Sequence, residues 1–141
     1  MNKVLFELVR VALSTQVDLS CVPSSKEWKI LYDLASKQTL LGVCFAGVQL
    51  LRKNGCGSVR NLSQTLFMQW LRMAVSIQQR NELMDGLSFD MWTRLDKAGL
   101  KAALLKGQGI ALLYGELATL RQSGDIDMWV KGGFDRVNEY I

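Results

Sequence analysis

Histidine is missing from this chain of 141 residues. Without it, the chain has no histidine-based catalytic triad, no histidine-ligated metal and no imidazole acid–base chemistry. Any catalysis must therefore use carboxylates, lysine, arginine, serine, tyrosine or a bound metal ion. Cysteine is also scarce. Cys21, Cys44 and Cys56 lie far apart and form no Cys-x-x-Cys pair, which argues against a zinc site or a redox motif.

The sequence also has no hydrophobic run long enough to span a membrane. The most apolar run, Leu40 to Leu51, holds about 12 residues, whereas about 20 are needed to cross a bilayer. Glu7 and Arg10 interrupt the apolar stretch near the start of the chain, so no secretory signal is evident. We therefore expect a cytoplasmic protein with reduced thiols and no membrane partner.

The charge is mildly basic and evenly spread. A formal net charge of +4 suits a polyanionic partner such as a nucleotide. No block of five like charges occurs, so direct binding to DNA or RNA is not favoured. With 49% hydrophobic residues and a single proline, the chain is typical of a continuous globular structure rather than a disordered one.

Helical periodicity dominates the first hundred residues. Apolar spacing predicts helices over 2–15, 24–37 and 40–53, the second starting at a capping box formed by Ser24 and Glu27. Residues 61–98 predict one long helix, or two helices broken near Gly86, with an apolar stripe that includes Leu83, Leu87 and Leu95 and faces a core. We divide the chain into an N-terminal helical region, 1–60, and a second region, 61–141.

The pattern changes after Gly99. Residues 100–105 predict a short strand, a Lys106-Gly107 turn follows, and 108–114 predict a short helix. Residues 125–130 predict a second strand, and 134–141 the start of another helix. The expected fold class is therefore α+β, with a helical bundle followed by the first part of a mixed sheet.

Two aspartates in the second predicted strand are candidates for a metal site. On a strand, Asp125 and Asp127 project to one face, while Ile126, Met128 and Val130 project to the other. A buried face would reject two carboxylates unless a cation compensates for their charge, and a hard divalent ion such as Mg²⁺ takes oxygen ligands of this kind. An Asp-x-Asp pair by itself more often consists of two solvated carboxylates.

The whole stretch resembles a known superfamily. Its distinctive residues are Leu104-Leu105-Lys106-Gly107, Tyr114, Arg121 and Gly124-Asp125-Ile126-Asp127. They are similar to the motif of an uncharacterised bacterial branch of the nucleotidyltransferase superfamily, which has the DNA polymerase β-like fold. The match covers roughly residues 100 to 130.

The resemblance implies a chemistry and a set of site residues. It implies transfer of a nucleoside monophosphate from a nucleoside triphosphate to an acceptor hydroxyl, with Asp125 and Asp127 as catalytic residues that hold Mg²⁺ or Mn²⁺. The acceptor is left open among a sugar, an antibiotic, a protein hydroxyl and an RNA end. The candidate nucleotide-binding residues are Lys106, Gly107, Gln108, Arg121, Ser123 and Gly124. Arg121 either neutralises phosphate charge or pairs with a nearby carboxylate.

The sequence departs from the superfamily pattern in two ways. The usual Gly-Ser turn is replaced by Lys106-Gly107, and the third carboxylate commonly found on a later strand has no candidate here. Two strands also make a marginal sheet, so we expect either a fragment or completion of the sheet by a second copy. Two further hypotheses therefore stay open, a truncated or non-catalytic module that binds a nucleotide or a protein, and a helical interaction protein.

Overall fold

The computed structural model describes residues 1–140, and it has the expected α+β class. Its main helices and strands are α1 (Asn2–Ala12), α2 (Ser25–Lys37), α3 (Leu41–Lys53), α4 (Gln64–Lys97), β1 (Ala102–Leu105), α5 (Lys106–Ala111), β2 (Asp127–Val130) and α6 (Gly133–Tyr140). Short 3₁₀ segments cover Gly57–Val59 and Leu112–Leu120. Within residues 1–140, no helix is both long enough and apolar enough to cross a bilayer.

The chain forms two compact units. The first comprises Met1–Gln78 together with Leu120–Gln122, and the second comprises Gln79–Thr119 together with the described residues from Ser123 onward. Helix α4 therefore contributes its first half to one unit and its second half to the other.

Aromatic side chains fill the core of the first unit. Trp28 and Trp70 are fully buried and meet edge to face, with ring centroids 6.5 Å apart. Tyr32 packs edge-on against Trp70 at 5.4 Å, and the Trp70 indole N–H donates to the Leu41 carbonyl at 2.9 Å. This satisfied hydrogen bond allows the polar edge of Trp70 to be buried. Cys44 belongs to the same core, and burial raises the pKa of its thiol to about 12.

Local signals explain where the first helices begin and end. The Ser24 hydroxyl accepts from the Glu27 backbone N–H, and the Glu27 carboxylate accepts from the Ser24 N–H, which confirms the predicted capping box. These hydrogen bonds lower the pKa of Glu27. Helix α1 ends at Ala12, three residues before the predicted end at 15, because Ser14 adopts a left-handed conformation with φ of 57°.

Helix α4 is continuous through Gly86, but its second half turns a different face inward from the one predicted. Leu83 is 63% exposed and Leu87 is also exposed, so the predicted core stripe is wrong at these positions. The buried face continues straight along the helix from Trp70 through Asn81 and Ser88 to Leu95. The buried positions of α4 therefore keep the helical period of 3.6 residues although two of them, Asn81 and Ser88, are polar. Leu83 and Leu87 lie on another face of the helix.

The sheet in the second unit has two antiparallel strands. Ala102 pairs with Val130 at one end of the ladder, and Leu105 pairs with Asp127 at the other. Each strand is shorter than predicted, because β1 begins at Ala102 and β2 at Asp127, although the Lys131 N–H also donates to the Lys101 carbonyl just outside the ladder. Asp125 therefore precedes β2 rather than lying within it.

Two helical glycines allow a direct test of the packing. A Cβ at Gly47 would strike the Leu8 backbone carbonyl where α3 crosses α1, whereas a Cβ at Gly86 would meet nothing within 4 Å. We expect Gly47→Ala to lower the free energy of unfolding by about 1–3 kcal/mol through overpacking. We expect Gly86→Ala to raise it by up to about 1 kcal/mol through helix propensity.

Chemical denaturation of both variants beside the wild-type protein makes the measurement. A Gly47→Ala variant as stable as Gly86→Ala would contradict the close approach of α1 and α3.

Candidate active site

The turn after β1 has an unusual backbone. Lys106 has a positive φ of 45°, and Gly107, the next residue, departs from helical geometry within α5. A lysine in the left-handed region is strained by roughly 1–2 kcal/mol. Strain of this kind is found preferentially at functional sites.

Glycines allow the turn to pack closely against its surroundings. A Cβ at Gly109 would lie 2.6 Å from the Leu104 carbonyl oxygen, so no larger residue fits there without movement of the backbone. A Cβ at Gly107 would be 3.5 Å from the Asp125 carbonyl oxygen. The Lys-Gly turn is therefore in van der Waals range of the segment that carries the acidic pair.

The acidic segment alternates between exposed and half-buried residues. Asp125, Asp127 and Trp129 are exposed, although regular strand hydrogen bonding begins only at Asp127. Ile126, Met128 and Val130 are half-buried and line an apolar groove of about 410 Å³. The two-residue period thus keeps the carboxylates away from the apolar groove.

Lys106 lies next to one of these carboxylates. Its ammonium Nζ is 3.5 Å from Asp127 Oδ2, and both side chains are substantially exposed. The ladder register accounts for this pair, because Asp127 lies opposite Leu105 and Lys106 follows Leu105 directly. One end of the sheet therefore carries a cation and an anion within reach of solvent.

A buried polar network lies between α4 and the turns that flank the two strands. Asn81 Oδ1 accepts a hydrogen bond from the Ser123 hydroxyl at 2.7 Å, and Asn81 Nδ2 donates to the Thr119 carbonyl at 2.6 Å. The Gln108 side-chain amide donates to the Asn81 carbonyl at 3.4 Å and to the Asp85 carboxylate. This network connects the residue after the Lys106-Gly107 turn, and the segment before β2, to one helix.

The remaining predicted site residues fall into different environments. Gln108 is buried, with its side chain directed to α4, and Gly124 has open space around it. The Ser123 hydroxyl donates a hydrogen bond to Asn81 Oδ1. Arg121 is half-buried in the segment Leu120–Gln122, which belongs to the first unit. Among residues 1–140, no three carboxylate or thiol groups are clustered for a metal, so a third carboxylate has no candidate there.

Sequence reasoning missed Asn81 and Asp85. One signal was present, because Trp70, Ala74, Ile77 and Asn81 follow one another at steps of four, three and four residues. Asn81 thus occupies a position on the buried stripe where an apolar residue is expected, and it is 3% exposed. A polar residue on such a stripe indicates that specific hydrogen-bond partners exist elsewhere in the chain.

The sequence model of one protein family, described as an uncharacterised nucleotidyltransferase, matches residues 24–141. The chain belongs to this nucleotidyltransferase family. The match extends from helix α2 through the acidic strand, well beyond the motif. No curated protein and no solved structure gives a match. Membership in a nucleotidyltransferase family implies a nucleoside triphosphate substrate.

The strain at Lys106 can be separated from its charge by two substitutions. Lys106→Gly and Lys106→Ala both remove the ion pair with Asp127, which is exposed and contributes about 0–1 kcal/mol. Only glycine also relieves the left-handed backbone. We expect the glycine variant to be more stable than the alanine variant by about 1 kcal/mol, measured by thermal and urea unfolding. Equal stability of the two variants would mean that residue 106 is unstrained in solution.

Proposed function

We propose that this protein is a metal-dependent nucleotidyltransferase whose reaction centre is the end of the sheet that carries Lys106 and Asp127. The observation that carries the proposal is the exposed pair of these two residues, 3.5 Å apart, at the turn of a chain that belongs to a nucleotidyltransferase family. A transferase of this kind needs a cationic group for phosphate and a carboxylate for a metal, and both types are present here.

The donor set fits a hard divalent cation. Asp125 and Asp127 supply only oxygen atoms and are exposed on the side away from the apolar groove. The Lys106 ammonium pairs with Asp127, so a metal ion held by this carboxylate would have to replace that exposed and weak ion pair. Asp125 and Asp127 would hold Mg²⁺ or Mn²⁺. When bound, the ion supplies charge neutralisation at phosphate and activates an attacking hydroxyl.

The reaction forms one phosphorus–oxygen bond and breaks another. The acceptor hydroxyl oxygen attacks the α-phosphorus, the bond from that phosphorus to the oxygen bridging the β-phosphate breaks, and pyrophosphate leaves. The hydroxyl proton passes to water. The contribution of the protein is mostly positioning and electrostatic stabilisation of the negative charge.

Lys106 is the residue best suited to contact the triphosphate. Its ammonium is exposed, and its pairing with Asp127 is weak enough to exchange for a phosphate oxygen. The backbone N–H groups of the Lys106–Gln108 turn are further candidates for phosphate contacts.

Asp127→Asn tests the site directly. We expect this variant to lose at least about tenfold in affinity for a Mg²⁺ complex of a non-hydrolysable ATP analogue, because a neutral amide is a poorer ligand for a hard cation. The fold should persist, since Asp127 is exposed. Calorimetric titration of wild type and variant, with thermal unfolding of each, makes the measurement.

Asp90→Asn provides the matched control. Asp90 is an exposed aspartate on α4 that pairs with Arg94 at 2.9 Å, so its substitution makes the same chemical change away from the site. Equal nucleotide affinity of Asp127→Asn and Asp90→Asn would reject the site assignment. Binding by wild type without release of pyrophosphate, across a panel of hydroxyl acceptors, would favour the nucleotide-binding module over the enzyme.

A further inference from the structure

The side chain of Asn81 is a buried polar group of the second unit that makes two hydrogen bonds. It is 3% exposed. Its amide nitrogen donates to the Thr119 carbonyl, and its amide oxygen accepts from the Ser123 hydroxyl. Its backbone carbonyl also accepts from the buried Gln108 side chain. Amide groups buried in this way stabilise one arrangement of their partners, because each broken bond leaves a polar group without water.

The partners of Asn81 are close in sequence to both segments that form the proposed reaction centre. Thr119 and Ser123 enclose the segment that leads into Asp125, and Gln108 directly follows the Lys106-Gly107 turn. The backbone departs from helical geometry at Gly107, and no ladder bond forms before Asp127. Hydrogen bonds to α4 therefore add side-chain support where the backbone pairing of these segments is interrupted.

We propose that Asn81 is a positioning residue of the reaction centre, whose side chain holds the segment before Asp125 against α4 through its bonds to Thr119 and Ser123, beside the backbone carbonyl that accepts from Gln108 after the Lys-Gly turn. This inference rests on the proposed function. Asn81 itself acts through these partners, because its side-chain amide is hydrogen-bonded to Thr119 and Ser123. Asp85, which accepts from Gln108, supports the same turn from one helical turn further along α4.

The inference predicts an effect on binding that is larger than the effect on the fold. Asn81→Ala removes both side-chain bonds, and we expect an about tenfold loss of affinity for the Mg²⁺ complex of the ATP analogue, as for other residues that orient metal ligands. We also expect faster hydrogen exchange at backbone amides between residues 119 and 130. Asn81→Asp keeps the size and the acceptor for Ser123 but places a buried carboxylate oxygen against the Thr119 carbonyl, so we expect a loss of affinity at least as large as in Asn81→Ala.

Ser88→Ala is the matched control. Ser88 lies on the same buried face of α4, is also 3% exposed, and bonds only within the helix, to the Met84 carbonyl. We expect Ser88→Ala to leave both nucleotide affinity and exchange at residues 119–130 unchanged. A purely structural role for Asn81 would lower the stability of the protein without this selective effect on exchange near the acidic segment.

Ser123→Ala completes a double-variant cycle. If Asn81 acts partly through Ser123, the losses of affinity in Asn81→Ala and Ser123→Ala will not add in the double variant, because both changes break the same bond. Full additivity would overturn the assignment of Ser123 as its partner. Should Asn81→Ala fail to fold, Asn81→Asp and Ser123→Ala carry the same test.

The outcomes separate this inference from the proposed function. Wild-type affinity in Asn81→Ala, with binding intact in the wild-type protein, would overturn the positioning role and leave the proposed function standing. Failure of the wild-type protein to bind the nucleotide would reject the proposed function. In that case hydrogen exchange is the only measurement that still tests the positioning role. Unchanged exchange at residues 119–130 in Asn81→Ala would overturn that role.

Discussion

The second unit depends on one physical constraint, which is that a polar side chain on the buried face of a helix must find hydrogen-bond partners. Asn81 meets this requirement with the Thr119 carbonyl and the Ser123 hydroxyl. Gln108 meets it with the Asn81 carbonyl and the Asp85 carboxylate. Because Thr119 and Ser123 lie at the two ends of a loop that precedes β2, the hydrogen bonds of Asn81 also determine where that loop lies. An apolar residue at position 81 would fill the same space but would lose the side-chain bonds to Thr119 and Ser123, while its backbone carbonyl could still accept from Gln108.

Local and period-based signals in the sequence predicted the helical part of the fold well. The capping box at Ser24 and Glu27 involves residues three apart, so it can be recognised without knowledge of the rest of the chain. The inward face of α4 depends on contacts with distant segments. Leu83 and Leu87 are exposed although they follow helical spacing, and Asn81 is buried although it is polar. Hydrophobic periodicity alone cannot distinguish these faces, because the bonds that bury Asn81 come from residues about forty positions away.

The candidate site shows the same division. The alternation around Asp125 and Asp127 follows from the period of an extended chain, and it was predictable from sequence. The left-handed backbone of Lys106 was not predictable, because lysine has no preference for that region. A strained lysine and a glycine that cannot accept a side chain occur within four residues, at Lys106 and Gly109. Such a concentration indicates that the backbone of the turn, as well as its side chains, is adapted to its role.

The register of the sheet explains why the charged pair forms at the end of the ladder. Asp127 lies opposite Leu105, the last residue of β1, so the side chain of the following residue, Lys106, reaches it across the strand end. A carboxylate at position 129 would share the same exposed face but would lie opposite Ala103. That position is two residues, or about 7 Å, further along the strand. Lys106 would then have no carboxylate beside it at the ladder end, and the acidic and basic groups of the site would be separated along the sheet. The pairing of Leu105 with Asp127 is thus the geometric condition under which one turn and one strand supply both kinds of charge.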